Sequence, residues 1–101
     1  MILIYITCKN KKEAQKIGKA LVKEKLAACV GYFPIESIYR WKGKMVNDKE
    51  FALLIKTTKK NFMKIEKRVK ELHSYQIPCI CAIPAYKVNK EYLSWVKKEL
   101  R

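Results

Sequence analysis

Acidic residues are scarce in this chain: 9 Asp and Glu stand against 23 Lys and Arg, giving a formal charge of +14 over 101 residues. Such an excess suits nucleic acid, an anionic membrane or a phosphorylated small molecule, and selects none of them. Arginine is rarer still, with 3 residues against 20 lysines. Readers of bases and phosphates lean on the bidentate guanidinium, so a solvated lysine coat is the plainer reading, and nucleic acid is expected to bind only nonspecifically. Long apolar runs are missing. The longest, 26–35 and 77–82, are interrupted by Pro34 and Pro78 and fall well short of the roughly 20 residues a membrane-spanning helix needs, so no membrane contact is expected. The chain passes from Met1 straight into Ile2, Leu3 and Ile4, without a basic leader or a small-residue cleavage site, and a cytoplasmic location is the expectation. The four cysteines, Cys8, Cys29, Cys79 and Cys81, are too sparse for a stapled secreted fold and read as reduced thiols. There is no CxxC pair, no zinc-finger spacing, no Gly-rich phosphate loop, no recognisable carboxylate pair, and a single histidine without a positioned Asp. That leaves no catalytic constellation to name, and the expectation is a protein that is not an enzyme.

What is present reads as one globular domain over residues 1–101, half of them hydrophobic. The run 2–8 is apolar and β-branched, as in a central strand. Asn10 followed by Glu13 is a capping-box pattern, and Ala14, Ile17 and Leu21 then recur at helical spacing to about Lys25. Gly18 inside that helix costs about 1 kcal/mol relative to Ala, which close packing on a sheet explains. Residues 28–41 and 44–57 read as two strands joined by a turn with Gly43 at a positive-φ position, and Gly31 and Pro34 fit a bulge or an edge. Thr57 or Thr58 can cap a second helix with Phe62, Ile65, Val69 and Leu72 on one stripe. A fourth strand, 77–83, and a final helix capped by Asn89 complete the pattern. The order βαββαβ with a C-terminal helix is α+β and ferredoxin-like.

Hairpin arms of about 14 residues exceed the modal strand of roughly 5 or 6, so part of the hairpin must project. It carries Tyr32, Phe33, Ile35, Ile38, Tyr39 and Trp41, and a bare apolar edge of that length calls for a partner chain. Tyr32, Phe33 and Ile38 are the expected interface residues.

Five blocks then look familiar. Residues 24–30 (EKLAACV), 37–44 (SIYRWKGK), 55–57 (IKT), 72–78 (LHSYQIP) and 92–95 (YLSW) together resemble the CutA family, the divalent-cation tolerance proteins, over nearly the whole chain. The resemblance implies a ferredoxin-like protomer whose long hairpins assemble a homotrimer similar to PII signalling proteins. It further implies a role in tolerance of copper and other divalent ions. In the family a copper role is tied to a cysteine at the end of the first strand and to the histidine of a His-Pro-Tyr block. His73 matches the histidine, whereas the cysteine position is Ile6 here, with Cys8 two residues on along the same strand face. Gly31 stands where the family usually has Asn, and two acidic positions after Tyr75 are replaced by Gln76 and Cys79, which moves a metal site toward softer ions.

The candidate metal ligands are therefore His73, Cys79, Cys81 and Cys8, for copper or another divalent ion. Against this, His73 can be a helix-capping imidazole, and Cys79 and Cys81, two apart on one strand face, can simply fill the core. Cys29 is expected to be buried. Tyr39, Trp41 and Tyr75 are either interface packing or the walls of a ligand cleft between subunits. Lys56 is costly to bury without an anionic partner and is the leading candidate to hold a small anion there, joined by Arg40; the alternative is an intersubunit ion pair.

Overall fold

Strand alternation sorts this chain onto two faces of one sheet, and that division positions everything else. The computed structural model describes residues 1–101. The elements are β1 (Ile2–Cys8), α1 (Lys11–Lys23), β2 (Cys29–Trp41), β3 (Lys44–Thr57), a 3₁₀ turn (Lys59–Asn61), α2 (Phe62–Leu72), β4 (Ile80–Pro84) and α3 (Lys90–Glu99). The strands make one antiparallel sheet in the order β2-β3-β1-β4, the ferredoxin-like arrangement expected. On one face Ile4, Ile6 and Cys8 of β1 and Leu53 and Ile55 of β3 meet Ala14, Ile17 and Leu21 of α1 and Ile65 and Val69 of α2 in a buried core. The other face carries Leu3, Tyr5 and Thr7, and beside them Glu50, Ala52, Leu54 and Lys56. Only α3 packs there, against β3.

Both ends of α1 are fixed locally. Asn10 Oδ1 accepts from the Glu13 N–H at 2.9 Å, the expected N-cap. The reciprocal half of the capping box is altered, because Glu13 Oε1 accepts from the Lys9 N–H at 3.1 Å, one residue before the cap. At the other end Lys25 adopts φ 59°, and the N–H groups of Lys25 and Leu26 return to the carbonyls of Val22 and Leu21. This is a Schellman motif in which lysine stands where glycine is usual. A Cβ on Gly18 would lie 3.2 Å from Val30 Cγ1, so the glycine lets α1 sit close on β2.

The second helix starts later than its threonines suggest. Thr57 Oγ1 donates to the Leu26 carbonyl at 2.7 Å, and Thr58 makes no capping bond. Its hydroxyl is buried without a partner. Neither caps α2, which begins at Phe62 after the 3₁₀ turn. Likewise Asn89 precedes α3 without a side-chain capping bond. The fourth strand begins at Ile80 rather than at residue 77, which leaves Cys79 just outside it.

The hairpin projects as expected. β1 pairs only with Phe51–Thr57 of β3, while the β2–β3 ladder continues to Trp41↔Lys44. Its outer half thus has no third strand, and the protomer is 45 Å long against 26 and 21 Å across. Lys42 at φ 50° and Gly43 at φ 78° close the hairpin, both positive as a type I′ turn requires. Gly31 and Pro34 sit in an unbroken register on an edge strand, with no bulge.

Candidate functional site

The end of β1, the first turn of α1 and the residues after α2 converge on one buried cluster. Cys8, Glu13 and His73 bring a thiol, a carboxylate and an imidazole nitrogen within 4.8 Å of one another. The His73 side chain is fully buried, with Nδ1 4.0 Å from Glu13 Oε1. Its Nε2–H donates to the Thr7 carbonyl at 2.7 Å, and its Nδ1 accepts from the Tyr75 N–H at 3.0 Å. The carbonyl cannot donate, so the ring hydrogen is on Nε2. Although His73 is the residue that ends α2, its ring bonds to β1 and leaves the helix carbonyls alone, so it is no helix cap of the electrostatic kind. Glu13 Oε2 accepts from the Ser74 N–H at 2.9 Å, which gives each of its oxygens a backbone donor.

These contacts set the protonation states. Burial raises the Cys8 thiol to about 12, with Glu13 and Glu50 adding to the effect, so the free protein holds it as SH. Burial by itself also raises the Glu13 carboxyl, but hydrogen bonds from Ser74 and Lys9, with His73 alongside, outweigh it and leave Glu13 below the usual carboxylate range. A thiol, an imidazole and a carboxylate form a donor set suited to soft and borderline ions. His73 Nδ1 and Glu13 Oε1 stand 4.0 Å apart, wider than neighbouring ligands of an ion bonded at about 2.0–2.2 Å, so binding requires a small inward movement. It also requires the Cys8 proton to leave and the Tyr75 N–H to release His73 Nδ1.

The four sequence-derived ligands are thus divided. Cys8 and His73 come together; Cys79 and Cys81 do not join them, because they continue the other face of the sheet beside Tyr5. Both are exposed in the protomer and so do not fill the core, while Cys29 is half-buried. Glu13 was not among the expected ligands. The signal for it was available in the capping box, since a helix-start Glu beside a strand-end Cys is brought there by the short 9–10 connection.

A second site opens on the uncovered face. A cleft of about 630 Å³ lies between the projecting hairpin, β1 and the segment after His73, and Tyr39, Trp41, Tyr75, Glu50 and Cys79 are among its walls. Three of the five expected cleft residues, Tyr39, Trp41 and Tyr75, therefore meet. Lys56 and Arg40 are absent from the lining. Lys56 is six residues from Glu50 along β3, about 20 Å at strand rise, and its Nζ lies 5.5 Å from the centre of the Tyr92 ring. Arg40 alternates with Tyr39 and Trp41 and belongs to the opposite face of β2. With no lysine or arginine in its walls, the cleft does not support the expected small anion.

Alternation also separates the expected interface residues. Phe33 shares the open face with Ala52, whereas Tyr32 and Ile38 point to the α1 side, where Tyr32 accepts a hydrogen bond from Gln15 Nε2 at 3.0 Å. All three are exposed, Ile38 at 71%. The lysines of α1 (11, 12, 16, 19, 23) and of the segment into α2 (59, 60, 64, 67) are solvent-facing. No helix is long and apolar enough to cross a membrane.

Residues 2–99 match the family model described as CutA1 divalent ion tolerance protein. The divalent-cation tolerance protein CutA of Archaeoglobus fulgidus is 47% identical over 93 residues, covering 92% of this chain and 91% of its own. Its Thermus thermophilus counterpart is 47% identical over 97 residues, covering 95% and 94%. The solved structure of the periplasmic divalent cation tolerance protein CutA from A. fulgidus superposes with a TM-score of 0.97 at 44% identity over 100% of both chains. These relatives overturn the cytoplasmic expectation: that neighbour is named periplasmic, and the Arabidopsis thaliana and Oryza sativa relatives are named chloroplastic. The fold, the five sequence blocks and the match over nearly the full length agree that this chain belongs to the CutA family of divalent-cation tolerance proteins.

Proposed function

We propose that this CutA protein acts in metal-ion tolerance by binding a soft or borderline metal ion, copper ahead of zinc, at Cys8, Glu13 and His73. The observation that carries this reading is the convergence of those three donors in one buried cluster. Cys8 supplies a thiolate once its proton leaves, and His73 supplies Nδ1 while Nε2–H stays on the Thr7 carbonyl, the outer-shell bond that commonly orients a ligating histidine. Glu13 supplies a carboxylate oxygen from the first turn of α1. Magnesium and calcium are disfavoured, because they require oxygen-rich shells that one carboxylate does not provide. The bound ion adds positive charge beside a thiol and a carboxylate, and the protein's role is to hold and sense it, as a PII-like signalling protein does its ligand, without chemical turnover.

The working unit of this proposal is a homotrimer. Its support is the projecting hairpin and the apolar open face, where Phe33 and Ile83 are each 43% exposed, a pattern that association relieves. Calorimetric titration with Cu(I) and Zn(II) tests the metal site. Cys8→Ser and His73→Ala should each weaken binding at least about tenfold, and Cys79→Ser with Cys81→Ser should leave it unchanged. Equal affinity in all four proteins refutes the assignment. Native mass spectrometry reads the assembly, with a mainly monomeric species at micromolar concentration contradicting the trimer.

A further inference from the structure

Glu50 is only 7% exposed, and its carboxylate is hydrogen-bonded on one side alone. Oε2 accepts from the Tyr75 hydroxyl at 2.5 Å, and no donor reaches Oε1. None of the ion pairs in the protein includes it: Glu24 and Glu71 take Arg68, Glu66 takes Lys70, and Glu13 faces His73. In a chain with 23 cationic side chains and 9 acidic ones, a nine-tenths-buried carboxylate with no cation of its own protomer beside it is a free acceptor facing the adjoining space. A positive group entering that space gains a charge-assisted hydrogen bond.

That space is the cleft of about 630 Å³ walled by Trp41, Tyr39 and Tyr75. Tyr39 is turned by its hydrogen bond to Asp48, which places a further carboxylate at the outer side. Tyr39, through that bond first, and Cys79, through burial first, titrate above their ordinary ranges, and the Glu50 charge adds to each. Aromatic faces present negative quadrupole to a cation, and a carboxylate at the floor fixes its N–H groups. A metal ion is poorly served here, since Glu50 and one thiol are the only strong ligands in the lining.

We propose that the Glu50 cleft is a binding site for a small organic cation, a primary ammonium or guanidinium compound, with Glu50 as its counter-ion and Trp41, Tyr39 and Tyr75 as its aromatic walls. No residue of the Cys8, Glu13, His73 set lines this cleft, although Ser74 and Tyr75 of its walls donate backbone N–H groups to Glu13 and His73.

The test titrates the full assembled protein with n-butylammonium and n-butylguanidinium, read by indole NMR shifts and tryptophan emission, against 1-butanol and butyrate as neutral and anionic comparators of equal length. The cations should bind saturably at millimolar concentration or below, and the comparators at least about tenfold more weakly. Glu50→Gln, which keeps shape and the acceptor for Tyr75, should lose about tenfold in cation affinity, and Trp41→Phe a smaller factor in the same direction. If the wild type binds neither cation, or binds butanol or butyrate equally well, or if Glu50→Gln binds the cations unchanged, the proposal is wrong. A cleft already filled by a lysine of a second copy gives the first of these results. Repeating the metal-free titration in Cys8→Ser, which alters the metal cluster and no residue of the cleft lining, distinguishes the two readings: the cation isotherm should stay in place whether or not Zn(II) binds the wild type.

Discussion

Glu13 and Glu50 are both 7% exposed, yet they are buried in opposite ways. Glu13 stands in the first turn of α1, where the helix dipole favours a negative charge, and each of its oxygens accepts a backbone N–H, from Lys9 and from Ser74. Glu50 lies on the open face of β3, where strand dipoles give no such help, and one phenol is its only donor. The segment 73–75 joins the two, bonding Glu13 through Ser74 and Glu50 through Tyr75. The contrast shows two uses of a buried carboxylate: the first is satisfied by the fold and ties elements together, and the second is left partly unsatisfied and faces a cleft. The first belongs to the structure even without an ion; the second is a demand for a ligand.

The sharpest way to break this contrast is to delete each group. Glu13→Ala leaves the part-buried N–H groups of Lys9 and Ser74 without their acceptor, and should lower unfolding free energy by about 1–3 kcal/mol in a urea titration. Glu50→Gln removes a charge that no ion pair holds while keeping the acceptor, and should change stability by no more than about 1 kcal/mol. A Glu50→Gln loss as large as that of Glu13→Ala would show that the two carboxylates do the same job.

The pH dependence separates them further. The folded-state value of Glu13 lies below its ordinary 4.5, so its contribution is fully present above that value and is lost as the pH falls through the lower, folded one. Glu13→Gln should be less stable than wild type at pH 7 by about 1–3 kcal/mol, and the gap should narrow steadily below pH 4.5. A gap constant with pH would contradict the hydrogen-bonding account of Glu13.

Much of this fold was legible because its signals are local. The apolar run of β1, the 3.6-residue spacing of Ala14, Ile17 and Leu21, and Gly43 in the hairpin turn each state their element alone. Gly18 inside α1 announced close packing on the sheet, but not that Val30 is the residue it meets. What was not legible depends on contacts distant in sequence. Thr57 turned from the expected cap to the Leu26 carbonyl, 31 residues away, and no spacing rule announces that bond. Cys8, Glu13 and His73 join three elements, and their meeting needs the β2-β3-β1-β4 sheet together with the packing of α2. The grouping of Cys79 and Cys81 with His73 failed at strand alternation, which sends the two thiols to the uncovered face. Lys56 was drawn into the cleft by the cost of burying its charge and Arg40 by its place beside Trp41, and strand length and alternation took them out.

The two faces can also be compared through the hairpin. Phe33→Glu on the open face and Ile38→Glu on the projecting arm should raise the concentration at which the assembly dissociates by roughly tenfold or more, measured by sedimentation, while the circular dichroism of the protomer stays unchanged. The smallest effect belongs to the outer, solvated surface. Glu66→Gln, which removes the exposed pair with Lys70 at 3.2 Å, should cost no more than about 0.5 kcal/mol and vanish in high salt.

X-ray absorption at the zinc edge of the protein loaded with one Zn(II) per chain tests the central assignment most directly. The account predicts a single sulfur at about 2.3 Å, from Cys8, together with nitrogen and oxygen neighbours at about 2.0–2.2 Å from His73 and Glu13. Loss of the sulfur shell in Cys8→Ser, with no change in Cys79→Ser, completes the prediction. Two sulfurs in the wild type, or a sulfur that persists without Cys8, would place the ion at Cys79 and Cys81 and contradict the account.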